Sequence, residues 1–203
     1  MDMEKLTIRS IDRKDLNKAS EFAAQGMNFS SYTENPIALY LYRQYALTGA
    51  LMKSTVTLGA YLDGQFVGFL FARFDGETKV PVGWGRRLFV NIAEKLMGLT
   101  GYREAIGTYN QANQTMYHEF ASTHPEGEVT YFAVDPTLKG KRIGSRWLEE
   151  IERRYKNKRI FLYTDSNCNY QFYLKKGFTI FGRQPVDLGG GESMTCYLLS
   201  TTL

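Results

Sequence analysis

The chain has few of the side chains that staple or metallate a fold: two cysteines and two histidines in 203 residues. Cys168 and Cys196 are too few for a disulfide framework, which argues for a reducing compartment. Neither belongs to a CxxC pair, and only His118 and His124 accompany them, so no metal site is expected. No apolar run approaches the roughly 20 residues that span a bilayer. The opening MDMEKLTIRSIDRKD also lacks the basic segment and apolar run of a signal peptide. A cytoplasmic protein with no membrane partner is the expectation. Charge of one sign is scarce: 25 Lys+Arg against 21 Asp+Glu leave a net +4. So small an excess suits an anionic small ligand, and no nucleic-acid partner is expected. The phosphate-loop pattern GxxxxGK[ST] and the dinucleotide pattern GxGxxG are both missing.

What is present reads as a single domain, 1–203, of mixed α/β order. Lys5 to Ser10 reads as a first strand, and Asp12 to Gln25 as a helix that Asp12 can cap. A second helix is expected to start at Pro36. Val56–Leu62 and Gln65–Phe74 read as strands joined by Asp63-Gly64, a type I′ hairpin signal. The second of these is apolar at most positions, which predicts burial on both faces. Residues 77–127 break the rhythm and read as a helical insertion. Arg86–Leu99 carries a stripe of Leu88, Ile92, Leu96 and Leu99; Tyr102–Ser122 carries a sparser one of Ile106, Met116 and Phe120. A lid and an ordinary packed helix pair are equally compatible with this pattern. Then come a strand (Glu128–Val134), a helix (Ile143–Lys156), a strand (Arg159–Thr164), a short helix (Cys168–Lys176) and two closing strands (Phe178–Arg183, Met194–Ser200).

The segment Tyr131 to Ile151, YFAVDPTLKGKRIGSRWLEEI, is the most informative. A strand runs into a Gly-containing basic loop, and the loop into a helix. A helix N-terminus presents unpaired amides and partial positive charge, so Lys139, Lys141 and Arg142 surround a ready anion site. A plain strand–turn–helix with basic surface residues fits the spacing equally well.

The run VDPTLKGKRIGSRWL resembles the acetyl-CoA-binding motif [Q/R]xxGx[G/A] of the GCN5-related N-acetyltransferase family. Lys139 stands where Gln or Arg is usual, Arg142 where the first glycine is usual, and Gly144 fits the second. A non-glycine residue at 142 adopts positive φ only at a cost. Downstream, Asn169-Tyr170-Gln171-Phe172-Tyr173-Leu174-Lys175-Lys176-Gly177-Phe178 resembles the family's N…FYxKxGF segment. The resemblance implies a mostly antiparallel central sheet with helices on both faces, and the helical insertion ahead of the acetyl-CoA-binding strand. It implies acetyl-CoA as co-substrate and a small-molecule or peptide amine as acceptor; family members are often dimers. Phe132, Ala133 and Val134 would pair with the pantetheine arm. Lys139, Gly140, Lys141, Arg142, Ile143, Gly144 and Ser145 would hold the pyrophosphate. Asn169 would bond the arm, and Tyr173 would protonate the CoA sulfur. Glu128 matches a position where some members carry a base.

Alternatives stay open on the residues alone. Tyr173 could be a core aromatic, Asn169 a helix N-cap, and Glu128 a solvated strand end, with His118 and His124 as rival bases. A non-catalytic CoA-binding sensor on the same fold is the competing function.

Overall fold

A computed structural model describes residues 6–31, 35–97, 102–138, 140–189 and 192–203. Lys139 of the basic loop and Leu99 of the first helical stripe lie outside the described residues.

Seven strands form a mixed sheet in the order β1-β2-β3-β4-β5-β7-β6. They are β1 (Leu6–Ser10), β2 (Val56–Leu62), β3 (Gln65–Phe74), β4 (Gly127–Val134), β5 (Arg159–Asp165), β6 (Thr179–Gly189) and β7 (Glu192–Thr202). The β1–β2, β2–β3, β5–β7 and β6–β7 pairs are antiparallel. β4 meets β5 in parallel through Gly127↔Ile160 and Glu128↔Phe161. The expected hairpin is present: Asp63 and Gly64 take φ of 51° and 79°. Those are the two positive values a type I′ turn needs for its twist to match the strands it joins. β3 is buried from Phe66 through Ala72, as its unbroken apolar run predicts. β6 and β7 extend well beyond the predicted strands, because polar residues of both continue the antiparallel pairing as far as Gly189↔Glu192.

The helices are α1 (Leu16–Gly26), α2 (Pro36–Lys53), α3 (Trp84–Met97), α4 (Tyr102–Phe120), α5 (Ile143–Arg154) and α6 (Tyr170–Leu174). α2 starts at Pro36, and Asn35 accepts from the amides of Ile37 and Ala38 at 2.9 and 3.2 Å. The expected Asp12 cap is not formed. Both Asp12 carboxylate oxygens instead bind the Arg9 guanidinium, at 2.7 and 2.8 Å. A 3₁₀ turn (Arg13–Asp15) then precedes α1. The predicted α3 stripe is also corrected. Leu88 and Ile92 are each 48% exposed, and Val90 takes the buried side. The helix start sets this phase. Arg86 and Arg87 bond inward, to Thr48 Oγ1 and the Val82 carbonyl, which turns Trp84 and Leu88 outward.

Two compact units divide the chain. The first comprises residues up to Val90 together with Val129–Arg154. Its core packs Leu16, Ala19 and Phe22 of α1, Leu47 and Leu51 of α2, Phe66, Phe69 and Phe71 of β3, Val82, and Tyr131 and Ala133 of β4. The second comprises Asn91–Glu128 and Tyr155–Leu203. There α4 lays Ala112, Met116 and Phe120 on Phe161 of β5, Val186 of β6, and Met194, Cys196 and Leu198 of β7. α4 is therefore a core helix of its unit, not a lid.

Candidate functional site

β4 is built by alternation. Gly127, Val129, Tyr131 and Ala133 are buried, and Glu128, Thr130, Phe132 and Val134 are half-buried. Of the first set, Tyr131 and Ala133 face the core shared with α1 and α2. On the other face Phe132 meets Trp147 of α5 edge-on, with ring centroids 5.3 Å apart. Gly68 of β3 allows this close layering. A Cβ added there would lie 2.6 Å from the Ala133 carbonyl oxygen and 2.6 Å from Trp147 Cη2. One residue earlier, β3 bulges against β2 between Ala60 and Tyr61. The Val67 carbonyl then accepts the Asp135 amide at 2.9 Å and pins the end of β4. Sequence reading missed Gly68; its signal was a glycine inside an apolar strand, which marks close backbone approach.

Beyond β4, Asp135 Oδ1 accepts the Thr137 amide at 3.0 Å and the Thr137 hydroxyl at 2.6 Å. This turn feeds the basic loop. The Lys141 amide returns to the Leu138 carbonyl at 3.1 Å. Gly140 takes φ 86°, and Arg142 takes φ 59°. The arginine thus holds a left-handed backbone conformation that glycine would adopt more easily. α5 follows at once. Arg146 donates to the Arg142 carbonyl at 3.1 Å. The amides of Ile143, Gly144 and Ser145 precede that bond, and helix geometry leaves them without an intrahelical carbonyl. The side chains of Ile143 and Ser145 are buried and anchor the turn, while those of Lys141 and Arg142 are exposed. A diphosphate fits this donor set of oriented amides with two cations beside them.

The second predicted segment lies in the other unit. Asp165 Oδ1 accepts the amides of Asn167 and Cys168 at 2.9 and 3.1 Å. That turn uses up the first residues of the predicted helix, so α6 covers only Tyr170–Leu174. Asn169 occupies its N-cap position without a side-chain capping bond, so the side-chain amide is not spent there. The Tyr173 carbonyl accepts the Lys176 and Phe178 amides at 2.9 and 3.1 Å. Gly177, at φ 86°, makes that reversal possible. The Tyr173 ring packs edge-on against Phe172 at 5.1 Å and Phe178 at 5.6 Å. Tyr173 is half-buried, and burial, with a smaller effect of Cys168, raises the phenol's pKa. Cys168 is itself pushed up to about 12, by burial and then by Asp165. It is therefore a protonated thiol at neutral pH.

The base candidates separate by position. Glu128 is half-buried in β4, opposite Phe161. His118 is exposed near the end of α4, and His124 is exposed with φ 53° just after it. Among the described residues no group of three His, Cys, Asp or Glu side chains is placed to hold a metal ion. No helix among them is long and apolar enough to cross a membrane.

Residues 23–178 match the sequence model of the Acetyltransferase (GNAT) family. No curated protein matches the chain. Solved structures share its fold at low identity. A polyamine N-acetyltransferase of Drosophila melanogaster is 14% identical with a TM-score of 0.62, over 98% of this chain and 100% of that one. An agmatine N-acetyltransferase variant in its apo form is 14% identical with a TM-score of 0.60, over 98% and 100%. The PaiA N-acetyltransferase of Thermoplasma acidophilum, in complex with coenzyme A, is 15% identical with a TM-score of 0.54, over 98% and 99%.

Proposed function

Because this chain belongs to the acetyltransferase (GNAT) family, we propose that it moves an acetyl group from acetyl-CoA to a primary amine of a small molecule or peptide. The observation that carries the reading is the backbone at residue 142. A side chain that disfavours positive φ nonetheless holds 59° at the first-glycine position of the motif. A left-handed turn held there without glycine supports a working cofactor site over a decayed one. Polyamine and agmatine N-acetyltransferases among the structurally similar proteins support an amine as the acceptor.

In this reading the amides of Ile143, Gly144 and Ser145, with Gly140, Lys141 and Arg142 before them in the chain, bind the diphosphate of acetyl-CoA. Backbone groups of Phe132, Ala133 and Val134 align its arm, and the Asn169 side chain holds it by a hydrogen bond. The neutral amine attacks the thioester carbonyl carbon, the C–N bond forms, and the C–S bond breaks. Tyr173 gives its hydroxyl proton to the departing sulfur. The proton released by the amine goes to Glu128, directly or through water, and the phenol is reprotonated before the next turnover. Burial keeps the Tyr173 phenol protonated at neutral and mildly alkaline pH, which is the state a proton donor must be in.

The decisive test is calorimetric titration of acetyl-CoA into the wild type and into Gly144→Glu. The substitution puts a carboxylate at the mouth of the amide cradle. Micromolar binding by the wild type and a loss of at least about a hundredfold in the variant, ~2.8 kcal/mol, is expected. A wild type that binds no acetyl-CoA would overturn the transferase reading.

A further inference from the structure

Arg86 stands in the first turn of α3 and folds back onto α2, where its Nη1 donates to Thr48 Oγ1 at 3.2 Å. Thr48 is fully buried, and the guanidinium is half-buried. Desolvation weakens the guanidinium's hold on its proton, and Tyr40 is the neighbour that opposes this. Among the described residues no carboxylate pairs with Arg86. Arginine keeps its charge regardless. The result is a partly desolvated cation with one of its five donors given to a neutral hydroxyl. Such a charge is costly unless an anion meets it.

Tyr40 also meets a second guanidinium, that of Arg43. Arg43 Cζ lies 5.0 Å from the Tyr40 ring centroid, and Arg43 Nη2 lies 3.2 Å from Glu21 Oε1. Arg43 Nε is buried without a hydrogen-bond partner. Glu21 is already shared with Asn17, whose Nδ2 donates to Oε1 at 3.2 Å. Arg43 is thus paired with Glu21 while Arg86 meets only Thr48 and Tyr40, and Tyr40, which interacts with both guanidiniums, is 48% exposed. Arginine donors in a planar fork fit an oxyanion. The patch also sits on elements that pack against β4, since Leu47 and Leu51 of α2 and Val82 share one core cluster with Tyr131 and Ala133.

We propose that Arg86, with Tyr40 beside it, binds an oxyanion carried by the acceptor amine, a carboxylate or a phosphate. The acceptors are then amino acids or phosphorylated amines and not polycationic polyamines. This inference rests on the transferase reading above.

The test uses amine pairs that differ by one acidic group: arginine and agmatine, lysine and cadaverine, glycine and methylamine, phosphoethanolamine and ethanolamine. For each, kcat/KM at saturating acetyl-CoA is read beside direct calorimetric binding of the amine. The acidic member is expected to be favoured by about tenfold or more in at least one kind of pair, ~1.4 kcal/mol. The carboxylate and phosphate arms distinguish the two sources of the charge. Arg86→Gln is expected to bring the ratio to about one, Arg86→Lys to keep part of it, and Tyr40→Phe to lower it, with circular dichroism checking that each variant is folded. A preference for the acid-free amines overturns the proposal. So does an acidic preference that survives Arg86→Gln, or failure to bind any member by a protein that does bind acetyl-CoA. A wild type that binds no acetyl-CoA removes the transferase reading instead. Titration with inorganic phosphate and acetate then decides the oxyanion site alone: binding lost in Arg86→Gln upholds it, and no binding overturns it.

Discussion

Arg142 shows how one residue can keep a backbone shape that its own chemistry resists. A left-handed L-residue costs roughly 1–2 kcal/mol, yet Arg142 holds φ 59° between Lys141 and the first residue of α5. Replacing it by glycine or by valine removes the same charge in both cases. Glycine accepts the conformation, whereas a β-branched residue strongly resists it. Arg142→Val should therefore bind acetyl-CoA about tenfold or more weakly than Arg142→Gly, a difference that isolates the backbone contribution. Equal Kd values for the two would show that the loop's shape does not matter. Tyr173 makes a different residue-scale prediction. Its pKa is raised in the fold, so the protonated phenol persists to higher pH than the ordinary value of about 10. The kcat profile should rise with pH as the amine loses its proton and show no alkaline decline below about pH 10. Tyr173→Phe should lower kcat by about 10²–10³ across that range. A wild-type decline centred near neutral pH would assign the proton donor elsewhere.

Among the elements, β4 shows why some of the site was legible and some was not. Its alternation of buried and half-buried residues follows from sequence periodicity, and the hairpin at Asp63-Gly64 follows from two residues that tolerate positive φ. The turn into α5 was legible as a strand–turn–helix, while its reading as an anion site rested on the family resemblance, since a plain basic turn fits the spacing equally well. Competing partners were not legible. Asp12 has the chemistry of a cap, and Arg9, three residues before it, takes both its oxygens instead. The outward turn of Leu88 depends on Thr48, 40 positions away, receiving Arg86. Arg86 went unread as a candidate because nothing local marks a guanidinium that lacks a carboxylate. Gly68 depends on layering: the Ala133 carbonyl and the Trp147 ring both close on it. Gly68→Ala should cost about 1–3 kcal/mol in denaturant unfolding, as overpacking does. It should also weaken acetyl-CoA binding, because the carbonyl it displaces belongs to the strand proposed to align the arm. Unchanged stability would mean that β4 and α5 yield easily.

At the scale of the whole molecule, each compact unit is discontinuous in sequence. The first takes β4 from Val129 onward and all of α5 from beyond the intervening residues 91–128. Without those pieces β3 lacks its β4 neighbour and Phe69 and Phe71 lack Tyr131 and Ala133. An unpaired apolar strand is an aggregation hazard. A fragment ending at Val90 should accordingly be found in the insoluble fraction or as large assemblies by light scattering, whereas the full chain stays dispersed. A monodisperse, folded fragment would show that the early strands and α1–α2 suffice. The same discontinuity sets a timetable during biosynthesis. At roughly 5–20 residues per second, the 64 residues from Val90 to Arg154 occupy the ribosome for on the order of 3–13 s. For that interval the nascent chain carries β3 without the partner that completes its unit, and it is then that a chaperone would find most to hold.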